Sequence, residues 1–194
     1  MFLWILILLA AAGLVLAGCR TSRSAYESAP YHVVRADGKF ELRDYPPLKV
    51  VETPMSVSGS SADGSFMRLF RFISGNNAAK QKIAMTTPVF MSGSGSNATM
   101  AFVLLPKLAA DKVPQPAEGS VRVRELPAGT FAVLRFSGGR NSRNEAEALT
   151  RLRDWLAQEK LSNTGSPVYG YFDPPWTPGC LRRNEVMLRL EVTK

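Results

Sequence analysis

The sequence predicts an α+β domain in which short strands form one sheet or a distorted barrel, flanked by two helices. Short runs of alternating or β-branched residues recur between Pro- and Gly-containing breaks, which is typical of antiparallel strands. Two other segments repeat their apolar residues with helical spacing. Both halves of the chain follow one order, which is strand, Pro-centred break, strand, helix, strand, loop and strand. This shared order predicts two duplicated units, although the halves share little sequence identity.

Each predicted strand is a short run that stops at a turn-forming residue. The runs are 39–43, 48–53, 81–91 and 99–105 in the first half, and 121–126, 130–136, 167–172 and 185–192 in the second. Pro46 and Pro47 separate the first two runs, because proline donates no hydrogen bond to a sheet. Asp37, Glu41 and Asp44 are spaced as on the exposed face of a strand. The segment 173–176 (DPPW) is predicted to be a rigid turn with Trp176 in the core.

Two amphipathic helices are predicted between these strands. The apolar face of the first is formed by Phe66, Leu69, Phe70 and Ile73, and that of the second by Ala148, Leu149, Leu152, Trp155 and Leu156. Ser142 and Glu145 form an S-x-x-E capping box at the start of the second helix. Met67 and Arg71 lie four residues apart and therefore share another face of the first helix.

The N-terminus predicts an exported lipoprotein. Residues 2–16 are uncharged and apolar, but they are too few for the roughly 20 residues of a membrane span. They lead into Leu-Ala-Gly-Cys, which resembles the bacterial lipobox with Cys19 as the lipid attachment site. We therefore expect a signal peptide over 1–18, a lipidated tether over 19–30 and one domain over 31–194. Because no Lys or Arg precedes the apolar run, an uncleaved membrane anchor stays open as an alternative.

This interpretation places the protein at the cell envelope, tethered to a membrane and facing away from the cytoplasm. In a Gram-negative cell that side is the periplasm. The net charge of +8 is scattered and forms no dense basic tract, so no nucleic-acid partner is expected. With Cys19 acylated, Cys180 has no disulfide partner, and a small buried residue is expected there.

The composition argues against an enzyme. One histidine and two cysteines supply neither a Ser-His-Asp triad nor an ordinary metal site. The glycine-rich stretch 92–96 (SGSGS) follows a strand but opens no helix, so it is interpreted as a turn and not as a phosphate-binding loop. We therefore expect a binding protein without catalytic activity.

Four segments together resemble the SOUL haem-binding family. They are 40–47 (FELRDYPP), 69–77 (LFRFISGNN), 82–91 (KIAMTTPVFM) and 171–188 (YFDPPWTPGCLRRNEVML). The resemblance extends from about Tyr31 to Val192. It implies a distorted antiparallel β-barrel built from two duplicated βαββ-type units, with two flanking helices, similar to bacterial effector-binding domains. It also implies non-covalent binding of haem or a related tetrapyrrole, for buffering, carriage or transfer.

The expected groove is lined by adaptable apolar side chains with a basic residue at one edge. The candidate lining residues are Met67, Phe70, Arg71, Met85, Tyr171 and Phe172. Some family members carry a histidine where this chain has Asp44, and its single histidine, His32, lies outside the motif. Binding through apolar contacts and basic partners is therefore expected. Two alternatives stay open, namely a module for another apolar ligand and a structural lipoprotein without a ligand.

Overall fold

The computed structural model describes residues 26–56, 63–105 and 113–191 of the chain. The predicted signal peptide and Cys19 lie outside these residues. Within the described ranges, no helix is both long and apolar enough to cross a membrane. The hydrophobic clusters described below all lie within residues 26–191, so a chain that begins at Arg20 retains each of their contacts.

Eleven strands and two α-helices are described. The strands are β1 (Glu27–Ser28), β2 (His32–Asp37), β3 (Phe40–Tyr45), β4 (Leu48–Pro54), β5 (Thr86–Thr87), β6 (Val89–Ser92), β7 (Thr99–Val103), β8 (Arg122–Leu126), β9 (Gly129–Phe136), β10 (Asn163–Tyr171) and β11 (Asn184–Leu190). The helices are α1 (Ser65–Ile73) and α2 (Ser142–Gln158). Short 3-10 turns at Gly95–Asn97 and Gly179–Leu181 complete the elements.

Nine strands form one antiparallel sheet in the order β2-β3-β9-β11-β10-β6-β7-β4-β8, and β1 pairs in parallel with β5. The predicted α+β class is confirmed, but the predicted distorted barrel is wrong, because the sheet is not closed. Among the described residues no ladder joins the end strands β2 and β8. Every side chain of β2 is exposed, as are all in β8 except Leu126. Pro46 and Pro47 connect β3 to β4, which are not neighbours in the sheet. The duplicated origin of its halves stays a prediction.

Both helices lie on one face of the sheet. Phe102, which packs with α1, and Phe136, which packs with α2, belong to one cross-strand row that also contains Val89, Tyr171 and Asn184. Directly opposite residues in adjacent strands point to the same face. Helix α1 covers β4 and β7, whereas α2 covers β9 and β11. The central strands β6 and β10 therefore lie between the two helices.

The opposite face curves around its own apolar core, and we call it the concave face. Side chains from strands at both ends of the sheet meet there, including Tyr45 on β3, Val50 on β4 and Met187 on β11. The N-terminal segment 27–31 crosses beside this core. Its Ala29 is buried, and its Tyr31 packs on Tyr45 with 5.4 Å between ring centroids.

Local details differ from the sequence prediction at Pro88 and at the start of α2. The predicted strand 81–91 is divided into β5 and β6 around Pro88, which has no N–H for a ladder. The predicted capping box is wrong, because the Asn141 side chain accepts the Asn144 N–H at 2.8 Å and so caps α2. Glu145 instead accepts a hydrogen bond from the Tyr171 hydroxyl.

Two residues expected in the core lie at the surface. Trp176 is 80% exposed, and Cys180 is also exposed. The loop that carries Trp176 is held by Arg182, whose Nε donates to the Thr177 carbonyl at 2.8 Å and whose guanidinium also reaches the Pro175 carbonyl. The turn is present as predicted, but hydrogen bonds from Arg182 to backbone carbonyls hold it and the indole does not fill the core.

Candidate functional site

The outer surface of α1 carries three exposed apolar side chains. Phe66, Met67 and Phe70 are 38%, 48% and 41% exposed. The rings of Phe66 and Phe70 are stacked with 6.0 Å between centroids, and Phe66 also meets Phe102 of β7 edge-on at 5.3 Å. On the other side of the helix, Arg68 Nε donates to Thr53 Oγ1 of β4 at 3.0 Å. The aromatic edge of α1 therefore faces the central strands of the sheet.

Arg71 supplies a cation at this surface. Its side chain is 59% exposed, and its Nη1 lies 3.8 Å from Glu118 Oε1, which is a weak contact in solvent. Most of its donors therefore remain available to an anionic group. Met85 lies half-buried against the cluster under α1. The structure thus brings Met67, Phe70 and Arg71 to one exposed surface, with Met85 beneath the helix.

Tyr171 and Phe172 lie at the end of β10, between the helices. The Tyr171 hydroxyl donates to Glu145 Oε1 of α2, and Arg140 lies over the Tyr171 ring at 5.9 Å. Burial and the Glu145 carboxylate both raise the pKa of Tyr171 far above its ordinary value. Phe172 is buried, with the Arg183 guanidinium 4.1 Å from its ring centroid. Both predicted residues therefore already have partners within the chain.

The single histidine of the chain is remote from this surface. His32 is exposed on the edge strand β2, whereas α1 covers β4 and β7 near the other end of the sheet. It pairs across the ladder with Asp44, whose Oδ1 accepts a hydrogen bond from Thr130 Oγ1 at 2.6 Å. Over the ranges 26–56, 63–105 and 113–191, no group of three or more His, Cys, Asp or Glu side chains is placed to hold a metal ion.

The concave face contains an ionic network that the sequence did not reveal. Arg43 is completely buried, and it donates to Glu41 Oε2 at 2.7 Å and to Glu185 at 2.7 and 2.9 Å. Two further arginines approach the same carboxylates. Arg183 Nη2 lies 2.6 Å from Glu185 Oε1, and Arg135 Nη2 lies 2.5 Å from Glu41 Oε1. The expectation that Glu41 lies on an exposed face is therefore wrong. Only the sheet order brings Glu185 near Arg43, 142 residues away.

Electrostatics favours the ionised form of Glu185. Burial alone would raise the pKa of Glu185, but hydrogen bonds and charges from Arg43 and Arg183 outweigh it, so the pKa is lowered. Burial raises the pKa of Tyr45 to about 12, although the neighbouring Arg43 opposes the shift. The Tyr45 hydroxyl accepts from Arg43 Nη1 at 3.2 Å and donates to Met187 Sδ at 3.7 Å. The network thus continues into the apolar core of the concave face.

The open sheet with two helices on one face defines a fold that several solved structures share. The C-terminal domain of EcmrR matches with a TM-score of 0.56 and 17% identity, over 84% of this chain and 99% of that one. A protein described as a hydrolase from Listeria innocua matches with a TM-score of 0.60 and 11% identity, over 81% and 94%. At these identities the similarity establishes the fold alone.

Sequence comparison is more specific. Residues 26–189 match the family described as SOUL heme-binding protein, and the chain belongs to that family. Heme-binding protein 2 of Homo sapiens is 30% identical over 139 residues, which cover 68% of each chain. Heme-binding protein 1 of Xenopus laevis is 25% identical over 157 residues, which cover 76% of this chain and 81% of the relative. The predicted family is therefore confirmed.

Proposed function

We propose that the protein binds haem or a related tetrapyrrole on the α1 surface, without catalysis, and holds it at the cell envelope. The observation that carries the proposal is the row of exposed apolar side chains beside Arg71, in a chain that belongs to a haem-binding family. A tetrapyrrole has a broad apolar ring and carboxylate groups, and this surface offers a partner for each.

The residues of α1 fit such a ligand. Phe66 and Phe70 provide aromatic faces, and Met67 is a flexible side chain that adapts its shape to a planar partner. Arg71 is positioned to pair with a carboxylate at the edge of the ring. Met85 supports the helix from below, and Tyr171 and Phe172 border the space between the helices. Haem, when bound, supplies the iron chemistry, while these residues bind and orient it.

The test is a haemin titration of the chain from Arg20 to Lys194, followed by visible absorbance. We expect a saturable Soret shift at low-micromolar haemin, about tenfold weaker in the Met67→Ala/Arg71→Ala double variant. The matched control is Val123→Ala/Arg124→Ala on β8. Val123 is 37% exposed, and the Arg124 side chain is 54% exposed with its Nη1 3.5 Å from Glu52 Oε1.

The titration separates the site from the function. Equal weakening in both double variants, or in neither, would remove haem from α1 while leaving haem binding as the function. A titration without any saturable shift would contradict haem binding itself. The proposed surface is supported if the control variant binds haemin like the wild type while Met67→Ala/Arg71→Ala binds it more weakly.

The envelope location rests on the sequence before Tyr26. A lipid on Cys19 would leave six residues before the first described residue, which span at most about 25 Å with the two ends included. Expression of the full chain in a Gram-negative host with labelled palmitate tests this location. We expect label in the membrane fraction and its loss in Cys19→Ser. Unlabelled protein that remains in the membrane would instead support the uncleaved anchor.

A further inference from the structure

The concave face contains an open cavity that the proposed function does not use. The free space in and above it is about 390 Å³ when the open solvent at its mouth is included. Its walls include Tyr45, Leu48, Phe90, Phe131, Val168 and Met187. No acidic or basic side chain of the described segments lines it, and it lies on the side of the sheet opposite α1. This cavity is therefore separate from the proposed haem surface.

One guanidinium is fixed at the rim of this cavity. Arg189 lies two residues beyond Met187 on β11, and alternation along a strand points both side chains to the same face. Its Nη1 donates to the Pro127 carbonyl at 3.3 Å, its Nη2 donates to the Ala128 carbonyl, and its Cζ lies 5.4 Å from the centroid of the Phe131 ring. Since Pro127 and Phe131 line the cavity, the charge lies at its edge.

The backbone accommodates this arginine through a glycine. A Cβ on Gly129 would lie 2.5 Å from Arg189 Nη2, so a side chain at 129 would displace the guanidinium. Among the described residues, no carboxylate lies within ion-pair distance of Arg189. Two of its five N–H groups contact carbonyl oxygens, and the other N–H groups can bind an anion.

The surrounding charges favour an anion over a cation. On β11, the acidic residue that shares the concave face with Arg189 is Glu185. It is completely buried and hydrogen-bonded to Arg43 and Arg183. A cationic ligand would therefore find no free carboxylate in the cavity wall, whereas an anionic ligand would meet Arg189. We propose that this cavity is a second binding site, which takes a small apolar carboxylate with its chain among Phe90, Phe131 and Met187 and its carboxylate at Arg189.

Three probes of equal chain length test the proposal on the chain from Arg20 to Lys194. They are decanoate, decanol and decyltrimethylammonium, and binding is followed by calorimetry and by the methyl resonance of labelled Met187. We expect saturable binding of decanoate that shifts the Met187 signal, with decanol weaker by about tenfold and the cation weaker still. Equal affinity for the three probes, or no saturable binding of decanoate, would overturn the proposal.

Variants at positions 189 and 129 test whether Arg189 is the residue that recognises the carboxylate. Arg189→Gln should weaken decanoate about tenfold and leave decanol unchanged, whereas Arg189→Lys should retain part of the preference for the anion. Gly129→Val should resemble Arg189→Gln, because it displaces the guanidinium without removing it. Decanoate binding that is insensitive to Arg189→Gln would overturn the site.

The haem surface provides the independent control. Met67→Ala/Arg71→Ala should leave decanoate binding unchanged, and Arg189→Gln should leave the haemin titration unchanged, because the two sites lie on opposite faces of the sheet. Loss of decanoate binding in the α1 variant would place the fatty chain on α1 and overturn the second site. Failure of haemin binding with intact decanoate binding would contradict the proposed function and leave this site in place.

Discussion

The two faces of the sheet use their arginines in opposite ways. On the helix-bearing face, the Arg71 side chain is 59% exposed and approaches one carboxylate at 3.8 Å. On the concave face, Arg43 is completely buried and forms hydrogen bonds of 2.7 to 2.9 Å with Glu41 and Glu185. An exposed charge remains available to a ligand, whereas a buried charge is committed to its partners. Arg71 is therefore available to the proposed haem ligand, whereas Arg43 stabilises the fold.

The apolar side chains of the two faces also differ in exposure. Phe66, Met67 and Phe70 expose about two-fifths of their surface on the outer side of α1. On the concave face, Tyr45 and Phe90 are buried, and the curvature of the sheet leaves a cavity between its ends. The exposed surface of α1 is the proposed site for a broad planar ligand, and the open cavity of the concave face is the proposed site for a narrow chain. The comparison predicts that mutations on the two faces will separate binding from stability.

Removal of Arg43 should produce the largest change in stability. Arg43→Leu leaves Glu41 and Glu185 buried with incomplete pairing, so we expect a loss of about 3–5 kcal/mol in the free energy of unfolding. Arg71→Leu should change it by less than about 0.5 kcal/mol, because its ion pair is exposed. Urea denaturation of both variants measures the difference. Similar losses in the two would show that burial does not distinguish these arginines.

Acid should weaken the concave face through Glu185. The pKa of this carboxyl is lowered in the folded chain by Arg43 and Arg183 against the effect of burial. Its contribution is therefore present above the ordinary glutamate pKa of about 4.3 and is lost as the pH falls through the lowered value. Urea unfolding from pH 7 to pH 3 should show a steeper loss below that pH in the wild type than in Glu185→Gln. Identical slopes would contradict the assignment.

The sequence predicted the elements better than the contacts between them. The existence of helix α1 and of most strands follows from local periodicity. The predicted apolar face of α1 is only partly right, because Leu69 and Ile73 are buried, whereas Phe66 and Phe70 are exposed and Phe72 is buried in their place.

The open sheet and the network around Arg43 depend on pairings between distant strands, such as β3 with β9 and β9 with β11. Local spacing instead suggested that Glu41 was exposed. Its burial depends on Arg43 and Arg135, which neutralise the carboxylate.

In the candidate site as well, the sequence predicted the local arrangement but not the contacts between distant elements. Met67 and Arg71 lie together because helical geometry places residues i and i+4 on one face, which the sequence alone reveals. Tyr171 and Glu145 meet only because β10 lies beside α2, so the sequence assigned Glu145 to a capping box. Trp176 was expected in the core from its size, but Arg182 holds its loop through backbone carbonyls and the indole projects into solvent.

The helix-bearing face should lose less stability when its local support is removed. Asn141 caps α2 by accepting the Asn144 N–H, so Asn141→Ala should lower the free energy of unfolding by about 1 kcal/mol. Ser142→Ala is the neighbouring control, and its effect should be smaller because Ser142 is the first residue inside the helix. Thermal unfolding of the two variants measures both. A larger loss in Ser142→Ala would restore the capping box, and a loss near that of Arg43→Leu would mean that the α2 cap contributes as much stability as the buried network.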